Sequence, residues 1–152
     1  MQAFITIGRF LFAVLFIISG ASKLLDLAAT AQMTEKIVLP AALATYTSQY
    51  SSQLEGLTGM PMPQMLAIAA GSLELICGLM IALNFGARFF AILLILFVAG
   101  ATFYFHDFWN QTGGEARNNL IHALKNLSII GALFMIVGYG RPVPMQEPAY
   151  EV

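Results

Sequence analysis

Apolar residues run almost unbroken through four stretches of this chain, and polar residues gather between them. Residues 4–25 read FITIGRFLFAVLFIISGASKLL, 63–83 read PQMLAIAAGSLELICGLMIAL, 87–105 read ARFFAILLILFVAGATFYF and 120–138 read LIHALKNLSIIGALFMIVG. The hydrocarbon core of a bilayer takes about 20 mostly apolar residues per helix, so each stretch is predicted to span a membrane. Asn84, Phe85 and Gly86 predict a tight reversal between the second and third spans, because Asn and Gly tolerate positive φ. Thr112, Gly113 and Gly114 are expected to open the loop before the fourth span. Gly138, Gly140 and Pro142 are expected to end that span, and Pro142, Pro144 and Pro148 to keep the tail extended.

One long connection, 26–62, joins the first two spans. Its first part, 27–39, has apolar residues near helical spacing with Glu35 and Lys36 among them, which fits a short amphipathic helix at the interface ended by Pro40. The part from 46 to 59 is rich in Ser, Thr and Gln and is expected to be a polar loop, with a lid over one face of the bundle as its simplest role. The fold class is therefore all-α: an integral membrane four-helix bundle with a long loop or interfacial helix between helices one and two. Residues 1–140 are expected to form this domain and 141–152 a proline-rich tail.

Composition strengthens the membrane reading. Of 152 residues, 59% are hydrophobic and only 10% are charged, against about 25% charged in soluble domains. Mean hydropathy is +0.77. The net charge of −1 comes without a basic or acidic block, so nothing points to nucleic acid as a partner. Cys77 is the single cysteine and founds no disulfide framework. The first apolar run lacks a basic region before it and exceeds the roughly 7–15 residues of a signal-peptide core, so it reads as a retained span. Arg9, Arg88 and Arg141 fall on one side of the membrane and Lys23, Lys36, Arg117 and Lys125 on the other, so charge alone gives no orientation. Tyr104, Phe105, Phe108 and Trp109 make an aromatic group at the second interface.

Charge inside the spans carries the candidate chemistry. Glu74 sits mid-way along the second span, where a lone carboxylate costs roughly 2.5–3.5 kcal/mol even on permissive scales. It has to be neutral, hydrated or paired. By depth, Arg9 from the first span and Lys125 from the fourth both qualify as partners, each within roughly 6–7 Å of the level of Glu74. Ser19, Ser22, Lys23 and Asp26 share one face of the first helix, and Asn118, His122, Lys125 and Asn126 one face of the fourth. The competing readings are structural: Glu74 ties two helices together, Lys23 snorkels from a helix end, and the fourth-helix face makes interhelical hydrogen bonds. His106 and His122 flank the third loop. They lack a Cys partner or a close His spacing, so hydrogen bonding or proton relay at a polar mouth is expected rather than metal or haem ligation.

A bundle lined by Arg9, Lys23, Glu74, His106, His122, Lys125 and Asn126 would hold a polar pocket in an apolar wall. Such a pocket suits an amphipathic ring such as a quinone. Its carbonyls take hydrogen bonds, and the protons of its quinol need an acid–base pair. On this reading Glu74, His106 and Lys125 are the catalytic candidates, and Arg9, Lys23, His122 and Asn126 hold the cofactor. No flavin, dinucleotide, haem or metal motif is present, so electrons would come from a partner or from a bound cofactor. A rival reading is a non-enzymatic accessory subunit of a larger membrane complex, docking through small faces such as Gly71, Gly78, Gly86, Gly100 and Gly131. A small-molecule carrier is a weaker third, since no repeat is evident.

Several motifs in order resemble the DoxX family of small four-helix membrane proteins. They are Arg9 with FIISGASKLLD at 16–26, GSLELICGLMIALNFGAR at 71–88, ATFYFHDFW at 101–109 and HALKNLSIIGALF at 122–134. The resemblance covers most of 5–138 and leaves out the 26–62 insertion and the tail. It implies a bacterial inner-membrane protein with both termini cytoplasmic and the long loop periplasmic. It also implies a link to quinone oxidoreduction or to a redox complex.

Overall fold

The four predicted spans are four helices, and the long connection between the first two is helical as well. The computed structural model describes residues 2–35, 37 and 41–139, and no strand occurs among them. The helices are α1 (Gln2–Leu25), α2 (Leu27–Thr34), α3 (Ala41–Thr58), α4 (Met62–Ala82), α5 (Ala87–Phe105) and α6 (Gly113–Tyr139), with a single 3-10 turn at Phe108–Asn110. Among the described residues, α1, α4, α5 and α6 are long and apolar enough to cross a membrane. The expectations placed on Lys36, Pro40, Gly140, Arg141 and the prolines at 142, 144 and 148 lie outside the described residues.

The chain reverses tightly between α4 and α5. Asn84 (φ 58°) and Gly86 (φ 57°) both take the left-handed conformation expected of the α4–α5 turn. α1 packs along α4, α4 along α5, and α5 along α6. One end of the bundle, here the terminal end, holds the start of α1, the α4–α5 turn and the finish of α6. The other, the loop end, holds α2, the start of α4 and the α5–α6 loop. The apolar core lies toward the terminal end. It joins Ala13 and Phe16 of α1, Cys77 and Ile81 of α4, Ala91, Leu94 and Val98 of α5, and Leu133 of α6. The outward faces stay greasy. Ile92, Leu96 and Phe103 of α5 and Leu124, Leu127 and Phe134 of α6 are exposed, as side chains in contact with acyl chains should be.

Two expectations need correction. The polar stretch 46–59 is not a loop but the larger part of α3. Ser and Gln are acceptable helix residues away from a core, and no Pro or Gly interrupts them before Gly56. α3 does not act as a lid among the described residues. It touches chiefly the start of α4, where Glu55 accepts a hydrogen bond from the Met62 amide (2.7 Å). The last helix begins at Gly113, so the two glycines open the helix rather than the loop. Glu115 in the first turn opposes the helix dipole favourably, and the added turns are polar and mostly exposed. At 27 residues, α6 runs about 40 Å and overshoots a hydrocarbon core of about 30 Å.

α2 is held at both ends by polar side chains. Asp26 caps it, its Oδ1 accepting from the Ala29 amide at 3.1 Å. The buried Thr34 hydroxyl donates to the Pro63 carbonyl at 2.8 Å and ties α2 to α4. Asp26→Ala is expected to cost about 1 kcal/mol, the usual value of such a cap, and to act locally. Hydrogen exchange should speed up across α2 and stay unchanged in α4 and α5.

Candidate functional site: a buried ion pair on a glycine seam

α1 and α4 approach more closely than side chains normally allow. A Cβ placed on Gly20 would lie 2.5 Å from the Leu75 nitrogen and 2.6 Å from the Gly71 carbonyl oxygen. A Cβ on Gly78 would lie 3.0 Å from the Ile17 nitrogen. Both helices carry the seam at near-heptad spacing: Ala13, Phe16 and Gly20 on α1, and Ala67, Gly71, Glu74, Gly78 and Ile81 on α4, all buried. Glu74 therefore faces α1 by necessity, because it shares the stripe that the glycines define.

The seam also chooses the partner of Glu74. Lys23, one turn beyond Gly20, donates from Nζ to Glu74 Oε2 at 2.7 Å and to Ser19 Oγ at 2.6 Å. The Glu74 side chain is 7% exposed and that of Lys23 29% exposed, so the carboxylate is enclosed while the ammonium reaches the edge. Ser22, on the same predicted face, is exposed, and Asp26 has turned away to cap α2.

Neither partner expected from depth is used. In this antiparallel register Gly20 lies against Leu75 and Ile17 against Gly78. Arg9 therefore falls opposite about position 86, roughly 18 Å of helix from Glu74. It lines a cleft at the terminal end instead. Lys125 is exposed on α6, which packs chiefly on α5, and it makes no hydrogen bond or ion pair among the described residues. Depth from the span ends was the wrong measure; the register set by close-packed glycines decides the pairing.

A second polar group sits at the loop end between α5 and α6. His106 Nδ1 lies 3.0 Å from Asn119 Oδ1. Asn119 Nδ2 donates to Gln111 Oε1 (2.5 Å), and Gln111 Nε2 donates to Asp107 Oδ1 (2.8 Å). Because Asn119 spends its amide on Gln111, this assignment makes its oxygen the acceptor and puts the proton on His106 Nδ1. His122 stacks on His106 with ring centroids 5.0 Å apart and planes within 10°. Parallel stacked rings aim their lone pairs side by side rather than at a common point. Among the described residues no three His, Cys, Asp or Glu side chains gather to hold a metal. Deeper in the bilayer, Asn126 Nδ2 donates to Thr102 Oγ1 at 2.9 Å and links α6 to α5. Phe103, Tyr104, Phe108 and Trp109 form a ring cluster on this end, with Trp109 centroids 5.7 Å from Phe103 and 5.1 Å from Phe108.

The seven predicted site residues thus fall in four places rather than one pocket. Lys23 and Glu74 meet between α1 and α4. His106 stacks with His122, and Asn126 bonds Thr102, all between α5 and α6, and no hydrogen bond, ion pair or ring contact among the described residues joins them to Lys23 and Glu74. Arg9 lies at the opposite end, and Lys125 faces outward.

Comparison with known proteins settles the family. The model of the DoxX family matches residues 4–107, more than half of the chain. This chain belongs to the DoxX family. The match takes in the glycine seam, Lys23, Glu74 and His106, and stops before α6. A curated relative, Inner membrane protein YphA of Escherichia coli (strain K12), is 36% identical over 90 residues, which are 59% of this chain and 61% of that protein. The shared part is therefore less than two thirds of the relative's length. No solved structure matches. With four spanning helices, this DoxX member is a multi-pass membrane protein.

Residues missed in the sequence had a readable signal. Asn119, which the sequence reading left out, falls with the predicted Asn126 on the stripe of α6 that also holds Ala123, Ile130 and Leu133, at heptad spacing. That stripe faces α5 in this DoxX chain. Asn118 and Lys125 lie beside it and point away. Thr102, four residues after the buried Val98, donates to its carbonyl at 2.6 Å and is thereby free to accept from Asn126.

Proposed function

We propose that this DoxX protein is an inner-membrane component of quinone or quinol chemistry, and that the Lys23–Glu74 pair binds the head group. The observation that carries this reading is a mid-span carboxylate closed off on α4 whose partner, Lys23, stays 29% exposed at the helix edge. An ion pair kept for helix packing alone does little that well-packed apolar side chains could not do. One that reaches the edge of the bundle can donate from Nζ to a carbonyl oxygen and accept a quinol hydroxyl at the carboxylate. In this reading His106 and Asp107, held in place by Asn119 and Gln111, with His122 beside them, take up and release protons at the loop end. Electrons pass to or from a partner protein. The placement of YphA, by its name, in the inner membrane supports the compartment.

The test is titration of the purified protein in lipid nanodiscs with a short-chain quinone. Wild type should bind saturably. Glu74→Gln, which keeps the shape and the lysine, should weaken binding by about tenfold, the worth of one charge-assisted hydrogen bond. Lys125→Met should leave it unchanged. If wild type neither retains quinone on purification nor binds it in titration, the reading fails.

A second reading, an accessory subunit of a larger membrane complex, is favoured by the outward face of α5 and α6. Gly100 and Gly131 have nothing within 4 Å of an added Cβ, and Lys125 is exposed within the span. Gly71 and Gly78, by contrast, are already used against α1.

A further inference from the structure

Arg9 and Arg88 both line a cleft that neither the ion pair nor the histidine group explains. The cleft encloses about 1110 Å³ at the terminal end, between the first half of α1, the start of α5 and the finish of α6. Both arginines line it, with Phe4, Phe12, Phe89 and Met135 among the apolar walls. Arg9 Nε and Arg88 Nη2 are buried and have no hydrogen-bond partner among the described residues. Among the described residues no carboxylate lines the cleft. Two guanidinium groups with enclosed, unanswered N–H donors in an apolar setting call for an anion.

The backbone adds to the same demand. α5 begins at this cleft, its N-cap Gly86 supplies no side-chain cap, and residues 86–89 all line the cleft. The first-turn amides and the positive end of the helix dipole therefore face the same space as the two arginines. The fork of an arginine fits phosphate oxygens in pairs, and a helix N-terminus is a natural phosphate site.

We propose that this cleft binds one anionic phospholipid from the leaflet that meets the start of α1 and the finish of α6. The phosphodiester lies between Arg9, Arg88 and the α5 N-terminus, and an acyl chain lies along the Phe12, Phe89 and Met135 walls. A lipid fits better than a soluble anion because α1 and α6 flank the cleft without packing along each other, and the exposed walls are aromatic or aliphatic. A lipid also fits better than a neutral quinone, which brings no negative charge to two guanidiniums. Arg9 lies about 10 Å of helix in from the start of α1, and Arg88 sits in the first turn of α5, so both belong near headgroup depth. The cleft lies at the far end of the bundle from the quinone reading, so either can fail alone.

Native mass spectrometry of the full chain, exchanged into mixed phosphatidylglycerol and phosphatidylcholine, tests this. Wild type should retain a single phosphatidylglycerol and prefer it over phosphatidylcholine by at least about tenfold. Arg9→Gln with Arg88→Gln should abolish the preference, and Lys125→Gln, a basic change on another face, should leave it intact. Deletion of 141–152, which carries Glu147 and Glu151, should not alter retention. Inorganic phosphate should not displace the lipid. No headgroup preference in wild type would overturn the proposal even if the arginine variants fail to fold. So would displacement by inorganic phosphate, retention that appears only when the tail is removed, or an unchanged preference in the folded double variant.

Discussion

Gly20→Leu should separate α1 from α4 and cost more than about 3 kcal/mol, above the usual penalty for overpacking a core. Even the first added carbon would meet backbone atoms of Leu75 and Gly71 at 2.5 and 2.6 Å. Backbone cannot swing aside as a side chain tip can. The helix would have to slide or lift, and the 2.7 Å contact of Lys23 with Glu74 would go with it. Gly20→Ala should already show most of the defect. Gly131→Ala is the control: its added carbon enters open space, and Ala is the better helix former by about 1 kcal/mol. Reversible unfolding in mixed micelles should rank Gly20→Leu below Gly20→Ala, and Gly131→Ala at or above wild type.

The second large effect concerns the ion pair and is asymmetric. Lys23→Met strands a carboxylate that is 7% exposed and should cost about 3–5 kcal/mol. Glu74→Gln leaves an ammonium that already reaches the edge, and Gln can still accept from it. That change should cost about 1–2 kcal/mol. The pair Lys23→Met with Glu74→Leu should restore most of the stability, since two apolar side chains on this seam leave no charge unanswered. A double-mutant cycle in the same unfolding assay measures the coupling. Such a rescue would also separate helix packing from the proposed head-group binding. The apolar double variant should be stable yet fail to bind the short-chain quinone.

The fold was legible because bilayer thickness leaves few choices. Twenty apolar residues in lipid must be helical, and the Asn84–Gly86 reversal announces itself through residues that accept positive φ. The connection 26–62 was harder. A polar helix such as α3, with no buried side chain among those described at 47–58, leaves no periodic trace that distinguishes it from a loop. The candidate site was legible in kind but not in pairing. Glu74 had to have a partner, and the sequence reading offered two cations, neither of them Lys23. Depth favoured Arg9 and Lys125; the choice of Lys23 rests on the register of Gly20, Gly71 and Gly78, which depends on how near two backbones come. α6 showed its polar residues but not its facing: Asn119 and Asn126 lie on the apolar stripe, while the more conspicuous Lys125 lies off it. Arg9, first grouped with the cofactor-binding residues, belongs with Arg88 at the other end because the same register carries it there.

The claim on which the rest stands is that Lys23, and no other cation, answers Glu74 inside the bilayer. Solid-state NMR of protein in lipid, with ¹⁵N in lysine side chains and ¹³C in glutamate carboxyls, measures this directly. The 2.7 Å contact predicts one strong coupling to the Glu74 carboxyl that disappears in Lys23→Arg and persists in Lys125→Met. A Glu74 carboxyl uncoupled from any lysine, or one whose coupling is lost in Lys125→Met instead, would contradict the account.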